Sequence, residues 1–312
     1  MNLALRRTLV RRLGTIGFVL SHVFALLALF VTQSPAAWIL CGVLFVVRMF
    51  GVTAGYHRYF SHRAFKTSRV GQFALAVLAQ SSLQKGVLWW AAHHRKHHKH
   101  SDEVGDVHSP VQEGFWHSHV GWILSAEHEE TDYAKVRDLA KYPELRFLNR
   151  FHFLPGVVLA LICFLTLGVP GLIIGFFVST VALWHSTFLI NSLAHVVGTR
   201  RFATPDESRN NFWLALLTLG EGWHNNHHRY QSSARNGFYW WEVDFTYYAL
   251  RGLSALRLVS DLRQVPERVL AEGRTRADQA NDSESGTKVP QRRSPPSSEH
   301  SLGLSEPSAS VS

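Results

Sequence analysis

The sequence predicts an all-α membrane protein, with four transmembrane helices in two hairpins and a cytosolic helical cap that holds a histidine-rich dimetal site. No Lys, Arg, Asp or Glu occurs among the 35 residues 13–47 or the 49 residues 151–199. A bilayer core about 30 Å thick needs roughly 20 helical residues, so each run is long enough for two spans. The cap is predicted from histidine, since 17 of the 19 histidines lie between His57 and His228.

The composition divides the chain into six segments. They are a basic cytosolic N-terminus (1–13), a first transmembrane hairpin (14–54), a cytosolic or interfacial segment (55–150), a second transmembrane hairpin (151–199), a second cytosolic segment (200–272) and a disordered tail (273–312). Pro and Gly at 33–35 and 168–171 mark the two hairpin turns, because these residues break helices. The tail is rich in Ser, Pro and Glu, and it lacks the apolar surface that would offset its chain entropy.

The distribution of basic residues predicts the orientation in the membrane. All 32 of them lie before residue 13, between 48 and 150, or after 199, while both hairpin turns carry no charge. Lys and Arg accumulate on the cytoplasmic side of short loops. We therefore expect an integral, multi-pass protein with both termini and the active site on the cytoplasmic side. The same rule, with the tail arginines, accounts for the net charge of +9, so no nucleic-acid partner is predicted.

Four histidine groups occur within the polar segments or at their edges. They are His57 and His62; His94, His97 and His98; Asn191 and His195; and His224, His227 and His228. Residues at i, i+3 and i+4 share one face of a helix, so the second and fourth groups each present three imidazoles together. The first pair, at i and i+5, lies about 140° apart on a regular helix. It therefore sits at a helix end or reaches two different ions.

Imidazole in this number indicates a transition-metal site. Imidazole nitrogen suits iron, zinc, copper and nickel, and nine histidines fit two ions with four or five ligands each. Iron is favoured over zinc if the chemistry is redox, since zinc has no redox chemistry. A carboxylate-bridged di-iron bundle would need two Glu-x-x-His motifs, and only Glu221 to His224 has that form. Cys41 and Cys163 lie in apolar runs, which excludes a cysteine-built site.

Three of these groups resemble the three histidine boxes of integral-membrane fatty acid desaturases. The boxes are residues 57–62, 94–98 and 220–228, and the likeness is to the acyl-CoA (stearoyl-CoA-like) Δ9 branch in particular. The segment 191–195 is similar to an additional Asn/His group of that branch. The resemblance covers roughly residues 14–262. The sequence differs from that branch at residues 125–130. This segment is acidic, whereas the animal acyl-CoA enzymes carry a basic patch there for the CoA phosphates.

The resemblance implies a set of metal ligands for two iron ions. The ligands are His57, His62, His94, His97, His98, His195, His224, His227 and His228, with Asn191 bound through water. We expect His93, Asp106, His119 and Glu221 to contact these ligands without binding metal themselves. The aromatic residues Trp89, Trp90, Phe115, Trp116, Trp122 and Trp184 are candidates to line an acyl tunnel or to anchor the chain at the membrane surface.

The implied activity is the introduction of a cis double bond, at the Δ9 position, into a saturated fatty acyl chain carried as a CoA thioester. Such a reaction consumes O2 and two electrons, and the bound cofactor must perform the oxidation. The chain has no nucleotide-binding GxGxxG motif or iron–sulfur cysteines, so an external donor of the ferredoxin, cytochrome b5 or flavin reductase type is expected, along with membrane lipid as a partner. Three alternatives stay open: an acyl-lipid desaturase, a di-iron membrane hydroxylase acting on alkanes, sterols or acyl chains, and, less favoured, a histidine-rich metal transporter.

Overall fold

The structure, a computed structural model, describes residues 3–284, with side chains for residues 12–276. The described part is mostly helical. Helix α1 (Leu3–Leu26) ends in a 3₁₀ turn (Leu27–Leu29), and helix α2 (Pro35–Phe50) continues without a break as a π-helix (Gly51–Ser61). Ser34 caps α2 by accepting a hydrogen bond from the Ala37 N–H, and Pro35 occupies the first helical position, where its missing N–H has no cost.

A third apolar stretch follows the interfacial segment. Helix α9 (Leu154–Pro170), a π-helix (Gly171–Val178) and helix α10 (Ser179–Ser192) are consecutive, but Gly168 has non-helical angles of φ 61° and ψ −147°. A Cβ on Gly171 would lie 2.3 Å from the carbonyl oxygen of Cys163. Residues eight positions apart are about 12 Å apart along a straight helix. The chain therefore reverses at Gly168, and the two halves lie against each other.

Three helical stretches of the described chain are long and apolar enough to cross a membrane. They are Arg12–Leu29, Pro35–Ser61 and Leu154–Ser192, the last of which contains the reversal. A small cluster joins them: Ala28, Ala37, Ile173 and Ile174 pack together. Much of their remaining surface is exposed and apolar, as expected of helices that face lipid.

Shorter helices make up the rest. They are α3 (Arg69–Gln80), α4 (Val87–Lys99), α5 (Pro110–Glu113), α6 (Trp122–Leu124), α7 (Arg137–Ala140), α8 (Pro143–Arg150), α11 (Phe212–Leu217), α12 (His224–Arg229), α13 (Phe245–Ala255) and α14 (Glu267–Glu284). A five-residue π-helix (His117–Gly121) precedes α6, and 3₁₀ turns lie at Ala126–His128 and Tyr133–Val136. Strands β1 (Lys66–Thr67) and β2 (Val259–Ser260) pair antiparallel, with Lys66 opposite Ser260. The main core surrounds the π-helix Gly51–Ser61, where all eleven residues are buried.

Helix α14 passes the position where the disordered tail was expected to begin. Gly273 lies inside this helix, close to Phe202 and Tyr239, and the Tyr239 hydroxyl donates a hydrogen bond to the carbonyl of Leu270. The buried side chain of Val269 contributes to the same small cluster. These tertiary contacts stabilise the helix, which therefore continues beyond residue 273. The predicted tail from 285 to 312 lies outside the described residues.

Candidate metal centre

The first histidine pair is brought together by the π-helix. In this helix the backbone N–H of residue i+5 bonds the carbonyl of residue i, and the His62 N–H donates to the His57 carbonyl at 3.2 Å. Residues five apart therefore lie almost above one another, and not about 140° apart as on a regular helix. The rings of His57 and His62 are 4.8 Å apart between centroids and belong to one group. Of the two predicted arrangements, the structure agrees with the helix end, since His62 is the C-cap of this helix, and not with the reach to two different groups.

The helix that carries the second box is held at its N-terminus by side chains from other elements. The first residues of a helix have free N–H groups, and Gly86 at the N-cap offers no side chain to bind them. The side-chain oxygen of Asn149 accepts from the N–H groups of Leu88 (3.1 Å) and Trp89 (2.9 Å). That of Gln80 accepts from Val87 (2.9 Å). These bonds set the rotation of α4.

The third box lies on α12, a helix of only six residues, which is too short to be stable alone. Its two buried asparagines anchor it. The Asn225 side chain accepts from the Phe202 N–H (2.7 Å) and donates to the Phe202 carbonyl (3.1 Å). The Asn226 side chain donates to Glu242 (2.7 Å) and accepts from the Asn210 amide (2.7 Å). The two asparagines between the box histidines thus fix the direction of all three imidazoles.

The nine histidines of the four sequence motifs form two groups. The five-histidine group consists of His57, His62, His94, His98 and His227, and the four-histidine group of His97, His195, His224 and His228. Within each group the candidate ligand nitrogens all lie within 4.8 Å of one another. In the five-histidine group the closest Nε2–Nε2 distance is 2.8 Å, between His62 and His94. In the four-histidine group it is 3.0 Å, between His195 and His224.

Carboxylates contact the outward nitrogens of three rings in the four-histidine group. Asp106 lies 2.9 Å from Nδ1 of His97, Asp102 lies 2.8 Å from Nδ1 of His195, and Asp206 lies 2.7 Å from Nδ1 of His228. Such carboxylate contacts fix the tautomer and orientation of metal-binding histidines and raise their basicity. Among these three, Asp106 was expected from the sequence, whereas Asp102 and Asp206 were missed.

The five-histidine group has one carboxylate contact of this kind. Glu221 Oε2 lies 2.5 Å from Nδ1 of His57. The other oxygen of Glu221 accepts two hydrogen bonds from Arg58, whose guanidinium also binds Asp244 at 3.0 Å. Arg58 is 1% exposed, so these charges are fully enclosed. Removal of one partner from such a buried set costs about 3–5 kcal/mol, because it leaves a buried charge unpaired.

Burial and the carboxylates shift the pKa values of the site in opposite directions. Burial, together with the neighbouring imidazoles, lowers the pKa of His94 well below the ordinary histidine value. For His228 burial prevails over its carboxylate and lowers the pKa to about 4. For His97 burial acts to lower the pKa, but the carboxylates of Asp106, Asp102 and Asp206 together raise it. Burial acts to raise the pKa of Asp102, but its hydrogen bond with His195 lowers it to about 2.

The donor set fits a transition-metal ion in each group. A carboxylate only accepts hydrogen bonds, so the Nδ1 atoms that face Asp102 and Asp206 carry the proton of the neutral ring, and Nε2 carries a lone pair. The Nε2 atom of His228 is buried and has no hydrogen-bond partner in the described residues. In the five-histidine group, Nε2 of His98 faces Nε2 of both His94 (2.9 Å) and His227 (3.0 Å), and one proton cannot serve both contacts. Buried imidazole lone pairs that converge in this way suit a cation.

Two of the residues expected to contact the ligands lie elsewhere. His93 is a residue of α4, and its Nδ1 lies 2.9 Å from the Trp89 carbonyl while its ring stacks on that of Trp89. His119 lies 3.0 Å from Ser192 and 3.0 Å from His185, which in turn contacts His22 at 2.9 Å. This chain of three imidazoles joins α1, α10 and the π-helix His117–Gly121. Both residues are hydrogen-bonded within the helical framework, which explains why neither faces a metal group.

A histidine not selected from the sequence lies beside the four-histidine group. The ring of His108 stacks on that of His97 at 4.3 Å, and His97, Asp106 and His108 form a third set of converging donors. Nδ1 of His108 is buried and has no hydrogen-bond partner in the described part of the chain. The only signal in the sequence was its position two residues after Asp106.

Two cavities adjoin each other, and the smaller one reaches the five-histidine group. The smaller, of about 30 Å³, is lined by His94, Trp90, Asn191 and His108, among others, and is large enough for an ordered water. The larger, of about 540 Å³, is lined by mostly apolar residues of α1, α9 and α10. Gln84, Ile123 and Phe188 line both cavities and so mark where they adjoin.

Comparison with known proteins identifies the family. The sequence pattern of the family described as "Fatty acid desaturase" matches residues 6–260. The chain belongs to the fatty acid desaturase family. Members of this family are known as di-iron enzymes, and both histidine groups are able to hold a metal. The chain is therefore an oxidoreductase of lipid metabolism, with three helical stretches of membrane length in its described part.

Curated desaturases of different substrate classes are similar to the chain. It is 34% identical to the sn-2 palmitoyl-lipid 9-desaturase of Nostoc sp. over 268 residues, which cover 85% of this chain and 94% of that desaturase. It is 39% identical to the sn-1 stearoyl-lipid 9-desaturase of Synechocystis sp. over 259 residues (81% and 80%). It is 38% identical to an acyl-CoA 5-desaturase of Anemone leveillei over 251 residues (80% and 78%). Desaturases that act on lipid-bound and on CoA-bound chains are therefore about equally similar.

Proposed function

We propose that the protein introduces a cis double bond, at the Δ9 position, into a saturated fatty acyl chain. This acyl chain is carried as a CoA thioester, as the resemblance implies, or as part of a membrane lipid. The observation that carries this proposal is the position of His94. It belongs to the five-histidine group and also lines the cavity that adjoins the larger apolar one. A methylene of a bound chain can therefore approach a metal group.

The nine histidines are the proposed ligands of two iron ions, five in one group and four in the other, with Asn191 acting through water. When bound, the two ions supply the O2-dependent removal of two hydrogens from an unactivated carbon–carbon bond, with two external electrons and two protons, so that O2 leaves as water. No side chain can provide an oxidant of that strength. The residues of the chain orient the imidazoles, exclude water and position the substrate.

The side chains that line the two cavities would position the acyl chain. Of the aromatic residues proposed as tunnel lining, Trp184 lines the larger cavity, and Trp89, Trp90 and Trp122 line the smaller. Trp116 is 76% exposed and lines neither, which fits the alternative role at the membrane surface. The Trp184 indole N–H donates to the Ser82 carbonyl at 2.7 Å, which holds the ring against the cavity. A rigid wall of this kind restricts which carbon of a chain reaches His94.

Four spans with cytoplasmic termini remain our proposed topology. The reversal at Gly168 supports it, because it divides the 39-residue stretch Leu154–Ser192 into two halves that lie side by side. The charge distribution supports the orientation. The proposed electron donor is a separate protein that approaches from the cytoplasmic side, where both histidine groups would lie.

The test is product analysis in a host that lacks its own desaturase. Expression of the chain is expected to yield unsaturated fatty acids with the double bond at one position, and His94→Ala to abolish the product. Arg257→Ala, an exposed residue remote from both histidine groups in sequence, serves as the matched control. A hydroxylated product would overturn desaturation in favour of a membrane hydroxylase.

A further inference from the structure

The larger cavity opens between two membrane-length helices. Leu13 of α1 and Phe153 and Val157 at the start of α9 line it, and the same residues are 59%, 50% and 54% exposed. Residues that both line a cavity and face the outside mark its mouth. Leu13 and Val157 lie within apolar stretches that are long enough to span a membrane. In a bilayer the mouth of the cavity therefore opens laterally, toward the lipid acyl chains.

Two glycines of α1 leave the mouth of the larger cavity unobstructed. Gly14 and Gly17 line the cavity three residues apart, on one face of α1. A Cβ at either position would meet no atom within 4 Å. Glycine weakens a helix relative to alanine. These two glycines serve no close helix packing, so they leave open space beside the cavity.

The polar end of the cavity is poorly suited to a polyphosphate. Its partly buried ammonium, Lys85, is paired with Glu129 at 2.8 Å. His152 also lines this end of the cavity. Arg150 is the cation left among the described lining residues. A CoA headgroup carries several phosphates, for which clustered Arg and Lys are the usual partners, and the described lining residues offer no such cluster.

We propose that the acyl chain enters through this lateral portal, defined as Leu13, Gly14, Gly17, Phe153 and Val157, directly from the bilayer. The substrate class is then an acyl chain esterified to a membrane glycerolipid and not a soluble CoA thioester. This proposal rests on the proposed desaturase function and specifies its substrate. A bilayer lipid matches the mouth because its chains already lie beside α1 and α9, while its ester group would lie near the interfacial polar end.

The portal can be narrowed without disturbing the fold. Gly17→Leu adds a side chain where no atom of the protein stands in the way, and it replaces a weak helix former. Gly42→Leu on α2 is the matched control, because a Cβ there also meets nothing within 4 Å and Gly42 lines neither cavity. The full-length protein is placed in nanodiscs of phosphatidylcholine that carries a photoreactive diazirine in one acyl chain. Crosslinked residues are then mapped by mass spectrometry.

The expected result is labelling of Trp184 and Phe188, which line the cavity and are buried, in the wild type and in Gly42→Leu, and its loss in Gly17→Leu. With reductant and electron-transfer proteins, turnover of lipid-bound stearoyl chains is expected to fall on the order of tenfold or more in Gly17→Leu only. Metal content should be equal in all three proteins. Stearoyl-CoA is expected to be a substrate at least about tenfold poorer than the lipid for the wild type.

Two other outcomes overturn the proposal. One is labelling and turnover that Gly17→Leu leaves unchanged. The other is efficient desaturation of stearoyl-CoA while lipid-bound chains remain saturated. Failure of the desaturase function itself would look different, since portal labelling would persist while neither substrate became unsaturated.

Discussion

Asp206→Asn should selectively weaken metal binding in the four-histidine group. Oδ2 of Asp206 accepts the Nδ1–H of His228 at 2.7 Å, and Oδ1 accepts the backbone N–H of Ser208 at 3.1 Å and its hydroxyl at 2.5 Å. All bonds at this carboxylate therefore come from donors. An asparagine of equal size must turn its own NH2 toward either His228 or Ser208, so one donor loses its acceptor. Asp206 is buried, and water cannot replace the lost bond.

The size of the effect follows from two independent figures. Loss of the outer hydrogen-bond partner of a metal-binding histidine typically lowers metal affinity 10- to 100-fold, which is about 1.4–2.8 kcal/mol. Hydrogen bonds to charged groups contribute about 1.5–3 kcal/mol, which is the same range. Asp206→Asn should therefore retain metal during purification but release it to a chelator that the wild type resists. Metal content should fall from two ions toward one per chain.

The assay is elemental analysis after equilibrium dialysis against a graded series of chelator concentrations. Asp261→Asn is the control, since its carboxylate forms an exposed ion pair with Lys66. Glu221→Gln provides the complementary case, because Glu221 contacts the five-histidine group through His57. The Asp206→Asn and Glu221→Gln double variant should lose both ions. Unchanged chelator resistance in Asp206→Asn would refute the reasoning that this carboxylate holds a metal ligand.

Three further predictions concern the metal, the topology and the tail. His228→Ala should abolish activity together with metal occupancy, measured by elemental analysis, and full activity with both irons bound would remove His228 from the ligand set. Reporter fusions after residue 34 should report the outside and those after residue 110 the inside, because charged residues are retained in the cytoplasm; an outside signal at 110 would contradict the topology. Deletion of residues 285–312 should leave product yield per protein unchanged, since all nine proposed ligands lie between His57 and His228; complete loss at normal expression would show that the segment acts in catalysis.

The helical character and the membrane-length helices could be predicted from the sequence because both depend on long runs of composition. The geometry of the first histidine pair could not. A regular helix places His57 and His62 on different faces, and nothing in the local sequence marks the i→i+5 hydrogen bonds. The cause is tertiary: a Cβ on Gly51 or Gly55 would lie within 3.2 Å of atoms of α3, so the π-helix is packed directly against that helix. Such contacts appear only in three dimensions.

The carboxylate partners show the same limit. Asp106 and Glu221 stand near histidine boxes in the sequence and could be proposed on that ground. Asp206 lies 22 residues before His228, outside any motif, and meets it only because the loop after α10 folds back over α12. His119 was misassigned for the converse reason. It stands among histidines in the sequence, but its partner His185 is 66 residues away in a membrane-length helix.

The two histidine groups have different neighbours, so substitutions near each group should change different kinetic quantities. Three of the four rings in the four-histidine group contact a carboxylate, whereas the five-histidine group has one such contact and reaches the substrate-side cavity through His94. No member of the four-histidine group lines either cavity among the described residues. Substitution of a carboxylate there should therefore change metal affinity and kcat with little effect on KM. Substitution at the portal should raise KM for the lipid at constant metal content, because it alters entry of the chain and leaves the imidazoles in place.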